Sequence, residues 1–204
     1  ERCRSRRSPW LKMHINAATL LNLVQLSVAV ASISTGLIVK LSRAPSGPLV
    51  LHGRKLSQVS VSTVAELTTA VGDSAVDKIF VAAGTYDLTS DMCSGSAVCI
   101  DRALTIEAQV PGSVVLDAKG GRRVFHIQSG GTAELIGLDI TGGATTGGGG
   151  VSVEGGGVAN FEGCDIHDNT ATVGGGVSVE GGGVANFEGC DIHDNTEGGG
   201  VSVE

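Results

Sequence analysis

From residue 78 the chain is written in short runs where large apolar residues alternate with polar ones, broken by glycine and aspartate. The runs are KIFVAAG, ALTIEAQV, SVVLDA, RVFHIQ and TAELIGLDI, followed by GGVSVE, GVANFEG and CDIHDN twice over. A period of two sends successive side chains to opposite faces of a strand, so these runs predict short β-strands with one face buried. Residues 62–71 (STVAELTTAV) instead carry helical spacing, with Val64, Leu67 and Val71 on one side. Ser62 or Thr63 is placed to cap the N-terminus of that helix, and Gly72 to end it.

Residues 148–170 read GGGVSVEGGGVANFEGCDIHDNT, and residues 174–196 repeat those letters; a third copy opens at Gly198 and runs to Glu204. A unit repeated at a 26-residue spacing marks a solenoid, in which each repeat stacks on the last. Each unit offers about three short strands, which suits one rung of a parallel β-helix with rungs about 4.8 Å apart. The length from residue 78 onward holds roughly five such rungs. Stacking sets like over like: Val151 on Val177 and Val201, Val153 on Val179 and Val203, Phe161 on Phe187, and Ile166 on Ile192, all pointing inward. Asn169 over Asn195 predicts an amide ladder at a turn. The helix over 62–71 is expected to cover the first rung, whose bare strand edge would otherwise invite association. The chain stops inside a repeat and reads as the N-terminal part of a longer β-helix. Its last rung is expected to present such an edge and to promote self-association.

Ahead of these elements lies a leader. ERCRSRR and Lys12 precede residues 15–39, a stretch of 25 residues without a formal charge. A basic start, an apolar run and the small residues Ala29 and Ala31 fit a secretory signal or an uncleaved signal-anchor helix, with Met13 a possible start. Residues 43–55, with Pro45 and Pro48, read as a linker. The expected organisation is a leader over 1–43, a linker over 44–60 and the β-helix over 61–204.

Composition supports stacked strands over a conventional globular core. Glycine accounts for 32 residues and aromatics for 3 %, so turns are plentiful and large core side chains scarce. All 14 Lys and Arg lie at or before Arg123, whereas every formal charge from Val124 onward is acidic. An acidic repeat surface excludes nucleic acid as a partner, since that partner needs clustered Lys and Arg. It suits cations, neutral glycans or basic partners, or serves simply as a solvated face.

VAAGTYDL (81–88), LTIEAQVPGSVVLDA (104–118), RRVFHI (122–127), GLDITGG (137–143) and the G-G-G…C-x-I-x-x-N units together resemble the pectin-lyase-like superfamily. Within it they resemble the repeat-rich surface proteins, including polymorphic outer-membrane-type proteins. The resemblance spans roughly residues 60–204. It implies an all-β fold, a right-handed parallel β-helix solenoid with a short N-terminal capping helix, here preceded by the apolar leader helix. It leaves function open, because the superfamily includes lyases, hydrolases, epimerases, adhesins and non-catalytic repeats.

Three sets of residues carry candidate chemistry. Cys93 and Cys99, in DMCSGSAVC, are expected to close a small disulfide in an exported protein; two cysteines fall short of a zinc ligand set, and no histidine is near them in sequence. Cys164 and Cys190 are expected to stack as buried free thiols. DIHD occurs twice, so Asp165, His167 and Asp168, with their copies Asp191, His193 and Asp194, are the low-ranking catalytic candidates. A carboxylate–imidazole pair does acid–base chemistry, and some β-helix epimerases carry a related Asp-Pro-His-Asp segment. This chain has Ile166 in place of that proline, copies the segment in adjacent rungs, and has no Lys or Arg in those rungs to stabilise an enolate. The stacked acids Glu162, Asp165, Glu188 and Asp191 form a candidate weak Ca²⁺ site, since like charges about 5 Å apart recruit a cation. The expected function is therefore a secreted or membrane-anchored structural or adhesive repeat protein. Its expected partner is a polysaccharide or cell-surface glycoconjugate, with membrane contact through residues 15–39 if the leader is retained. The alternative is a lyase or epimerase acting on uronate polymers.

Overall fold

The computed structural model describes the backbone at residues 37–42, 50–55 and 57–204, and side chains from Ser57 onward. The chain divides into two compact units, residues 1–55 and 56–204. In the first unit, β1 (Leu37–Ser42) and β2 (Val50–Lys55) pair antiparallel, Leu37 opposite Lys55 and Ser42 opposite Val50. The expected leader helix over 15–39 lies outside the described residues except for its last three, which fall in β1. Among the described residues no helix is long and apolar enough to cross a membrane. The span expected as a linker is partly structured: its two prolines precede β2, and residues 57–60 already belong to the solenoid. In Ser57–Val61 valine alternates with polar residues, and that pattern favours strand over coil.

The second unit is a parallel β-solenoid of five rungs. It opens with β3 (Ser57–Val61) and α1 (Val64–Gly72). The first rung is β4 (Val76–Val81), β5 (Gly84–Asp87) and β6 (Ser96–Ile100); the second is β7 (Ala103–Ala108), β8 (Val114–Asp117) and β9 (Arg123–Ile127). The third is β10 (Thr132–Ile136), β11 (Leu138–Thr141), β12 (Ala144–Gly147) and β13 (Val151–Val153). The fourth is β14 (Val158–Glu162), β15 (Asp165–His167), β16 (Thr170–Val173) and β17 (Val177–Val179). The fifth is β18 (Val184–Glu188), β19 (Asp191–His193), β20 (Thr196–Glu197) and β21 (Val201–Val203). Equivalent strands stack into three long sheets, β3-β4-β7-β10-β14-β18, β5-β8-β11-β15-β19 and β6-β9-β13-β17-β21, with neighbours parallel throughout. A fourth, short sheet, β12-β16-β20, occupies the corner of the last three rungs, where three strands per unit were expected.

The expected stacking register is the observed one. Val151 pairs with Val177 and Val177 with Val201, Phe161 with Phe187, and Ile166 with Ile192. Val151, Val153, Ile166 and Val177 are fully buried or nearly so, and the Phe161 and Phe187 rings stack 4.9 Å apart. Strict in-and-out alternation fails at Ser152 and Ser178, which are buried as well. Each hydroxyl is covered by the carboxylate two residues on: Ser152 Oγ donates to Glu154 Oε1 at 2.6 Å and Ser178 Oγ to Glu180 Oε1 at 2.8 Å.

The helix starts where its sequence dictates. Thr63 is the N-cap and accepts from the Glu66 amide at 3.2 Å, while Glu66 Oε2 accepts from the Ser62 amide at 2.8 Å. This reciprocal box satisfies amides that the first turn leaves without intrahelical acceptors. The helix buries Leu67, Ala70 and Val71 and packs against β3, β4 and β6, covering the first rung as expected.

Candidate functional site

The outer face of the sheet that ends in β11, β15 and β19 gathers the DIHD residues. Register places Asp139, Asp165 and Asp191 in one column and Thr141, His167 and His193 in the next. His167 forms hydrogen bonds from Nε2 to Asp139 Oδ1 at 2.8 Å and from Nδ1 to Asp168 Oδ2 at 2.9 Å. One rung on, His193 Nδ1 bonds Asp194 Oδ2 at 2.9 Å, and its Nε2 lies 3.1 Å from Asp165 Oδ1. The two imidazoles stack with centroids 5.2 Å apart. Asp168 and Asp194 adopt left-handed backbone, with φ of 52° and 51°, which brings each carboxylate back onto its neighbouring ring. Short polar side chains tolerate that conformation better than most.

Burial works against protonation of His167, but the Asp168 hydrogen bond and the nearby charges of Asp139 and Asp165 outweigh it and raise its pKa. His193, more exposed than His167, is raised chiefly by its hydrogen bond to Asp194. Both nitrogens of His167 are engaged by carboxylates, which hold the ring between Asp139 and Asp168. A folded-state pKa above the unfolded value of about 6.5 makes the His167 contribution complete below that pH; it is lost as pH rises through the raised value. The melting temperature is therefore expected to fall as pH rises from about 6.5, and His167→Asn to flatten that slope. A slope unchanged in the variant would show that the histidine is not its origin.

On the same face, the Lys119 ammonium lies 2.9 Å from Asp87 and 2.9 Å from Asp117. The calcium candidates do not converge. Glu162 stacks on Glu188 and Asp165 on Asp191, but the two pairs lie on different sheets, and Asp165 faces His193. Among the described residues, the metal-type ligands that gather in a group of three are Cys93, Cys99 and His126.

That group was not visible in the linear sequence. Cys93 and Cys99 form a disulfide with Cα atoms 6.1 Å apart. His126 lies 27 positions after Cys99, yet β6 and β9 pair them in register, and His126 Nδ1 sits 3.8 Å from Cys93 Sγ. The only sequence signal was the rung offset, which here is close to the length of the repeat. Cys164 and Cys190 are free; burial pushes the Cys164 thiol up to about 11, and its Sγ lies 3.2 Å from the Leu135 carbonyl oxygen.

A second outer face, on β10, β14 and β18, forms a shallow groove bordered by Glu134, Asn160, Asn186, Glu162 and Glu188. Asn186 Nδ2 donates to Asn160 Oδ1 at 2.9 Å, and Glu134 accepts from Thr105 at 2.9 Å. At the next corner Thr170 and Thr196 share a 2.8 Å hydrogen bond.

Five stacked rungs with in-register ladders define a parallel β-helix repeat protein. Residues 122–204 match the family described as the right handed beta helix region. No curated protein matches the chain.

Proposed function

We propose that this chain is a secreted or surface-anchored adhesive scaffold, whose repeated outer faces bind polysaccharide or cell-surface glycoconjugate without turnover. The observation that carries the reading is the copying of outward polar groups in register: Asn160 with Asn186, Glu162 with Glu188, His167 with His193 and Thr170 with Thr196. A linear polymer laid along the solenoid meets the same donors and acceptors at each rung, and each contact adds to the last. The residues with acid–base character are duplicated and tied to one another, where a catalytic centre needs a free base. Export is supported by the basic and apolar leader over residues 1–39 and by the Cys93–Cys99 disulfide, a bond that persists in oxidising compartments. The carboxylate ladders repel polyuronates, so neutral or basic glycans are the favoured class.

Calorimetric titration with neutral and acidic polysaccharides tests this reading. Binding of a neutral or basic glycan is expected, with about a five-fold loss of affinity for each of Asn160→Ala and Asn186→Ala, the worth of one net hydrogen bond. Release of unsaturated, ultraviolet-absorbing products from pectate or alginate would replace it with the lyase reading.

A further inference from the structure

We infer that Cys93, Cys99 and His126 form a redox-gated site for a zinc-class divalent cation, closed while the disulfide stands and opened by its reduction. The ligand atoms of the three residues lie within 4.8 Å of one another. Zinc bonds of about 2.3 Å to sulfur and 2.0 Å to nitrogen set tetrahedral neighbours roughly 3.6 Å apart. The observed 3.8 Å from Cys93 Sγ to His126 Nδ1 matches that separation.

Backbone contacts hold each ligand in place independently of the sulfur–sulfur bond. Cys99 and His126 are fixed opposite each other by the pairing of β6 with β9. Cys93 is held by a tight turn over Ser94 and Gly95: the Met92 and Cys93 amides both donate to the Ser96 carbonyl, and the Ser96 amide returns a bond to the Cys93 carbonyl. Reduction therefore leaves two sulfurs beside the ring with the scaffold intact.

The surroundings orient the histidine for this use. Its Nε2 is shut off from solvent, makes no hydrogen bond and lies 3.3 Å from Glu154 Oε2, so Glu154 is placed to take the Nε2 proton once Nδ1 is given to the cation. Carboxylate–histidine–metal relays use this arrangement to fix the tautomer. The Gln128 amide nitrogen, 3.9 Å from Cys93 Sγ, is placed to donate to a thiolate. Three protein ligands leave the fourth position to water.

The chemistry balances simply. A phosphine reductant delivers two electrons to the disulfide and leaves as its oxide with the oxygen of one water, whose two protons complete the thiols; both protons return to solvent as the cation binds the thiolates. Exchange with a small-molecule disulfide, which takes up the two electrons and leaves as its thiols, re-forms the bond and releases the ion.

The untagged full chain, reduced with a phosphine and stripped of metal, is titrated with Co²⁺ and then Zn²⁺. One equivalent of cobalt is expected to give thiolate charge-transfer and tetrahedral d–d bands, which zinc abolishes. The oxidised chain and the Cys93→Ser/Cys99→Ser variant are expected to show neither, although Cys3, Cys164 and Cys190 remain. His126→Gln is expected to weaken binding at least ten-fold, and Glu154→Gln by about ten-fold, the usual worth of a supporting carboxylate. Circular dichroism of each sample reports whether the solenoid persists. Equal binding by the oxidised chain or the double-serine variant, no d–d bands in the reduced chain, undiminished binding in His126→Gln, or loss of β signal on reduction alone would each overturn the site.

Discussion

Replacing Gly149 with alanine is expected to destabilise the solenoid by more than about 4 kcal/mol, at the extreme of single-site effects. A methyl there would meet only backbone: the Gly175 carbonyl oxygen at 2.4 Å, the Thr170 carbonyl oxygen at 2.7 Å and the Thr170 carbonyl carbon at 2.9 Å. No rotamer change relieves an overlap with main chain, and the stack itself requires the close approach, because the Gly149 amide donates to the Gly174 carbonyl of the next rung at 3.2 Å. Gly156 gives the control. Its φ is +79° but nothing lies within 4 Å of an added Cβ, so Gly156→Ala is expected to cost only about 1 kcal/mol of left-handed strain. Urea unfolding of both variants measures the difference. Equal costs would mean that the glycine runs serve turn conformation alone, and that the close stacking of rung corners is not what demands them.

That contrast separates what the letters make legible from what they hide. Where the repeat is copied, a fixed spacing forces like over like, so the pairing of Val151 with Val177, Phe161 with Phe187 and Asn169 with Asn195 can be read before any coordinate is known. The glycine triplets were also plain, but the linear pattern suggests turns and does not show that one rung's corner presses on the next. Earlier in the chain the rungs are not copies. Ile79 pairs with Ile106 and Ile106 with Leu135, so the offset drifts from 27 to 29 residues. A small drift of this kind is enough to conceal that His126 faces Cys99, whereas Asp139 reaches His167 diagonally between strands that keep the repeat offset. The partners of the acid columns were hidden in the same way: the adjacent column brings His193 to Asp165, and Lys119 serves Asp87 and Asp117. The buried serines 152 and 178 were missed because a two-residue period carries no information about a carboxylate folding back over its neighbour.

Asn169→Ala is expected to cost about 3 kcal/mol or more, the penalty for stranding more than one buried polar group. The amide is fully buried and its capacity is filled: Oδ1 accepts from the Gly143 amide at 2.8 Å, while Nδ2 donates to the carbonyls of Ile140 and His167, each at 2.9 Å. Asn195 Oδ1 in the next rung takes further bonds from the Asn169 backbone and side-chain nitrogens, at 3.0 and 3.1 Å. Alanine strands the buried Gly143 amide and takes from the Ile140 carbonyl its bond to the Asn169 side chain. Aspartate is expected to be no better, since a carboxylate oxygen would then oppose two carbonyl oxygens. Asn195→Ala is expected to cost about 1 kcal/mol, because its rung is partly open and water replaces the lost bonds. Hydrogen exchange at the Gly143 amide should quicken sharply in Asn169→Ala and little in Asn195→Ala. The effect reaches the outer face: Asn169 follows directly on Asp168, whose left-handed turn aims a carboxylate at His167. Loss of the ladder is thus expected to lower the His167 pKa toward its ordinary value, measurable by NMR titration of the ring. If stability and the titration are both unchanged, the inner amide ladder does not set the spacing of the groups presented outside. The register of that binding face would then rest on the strand ladders alone.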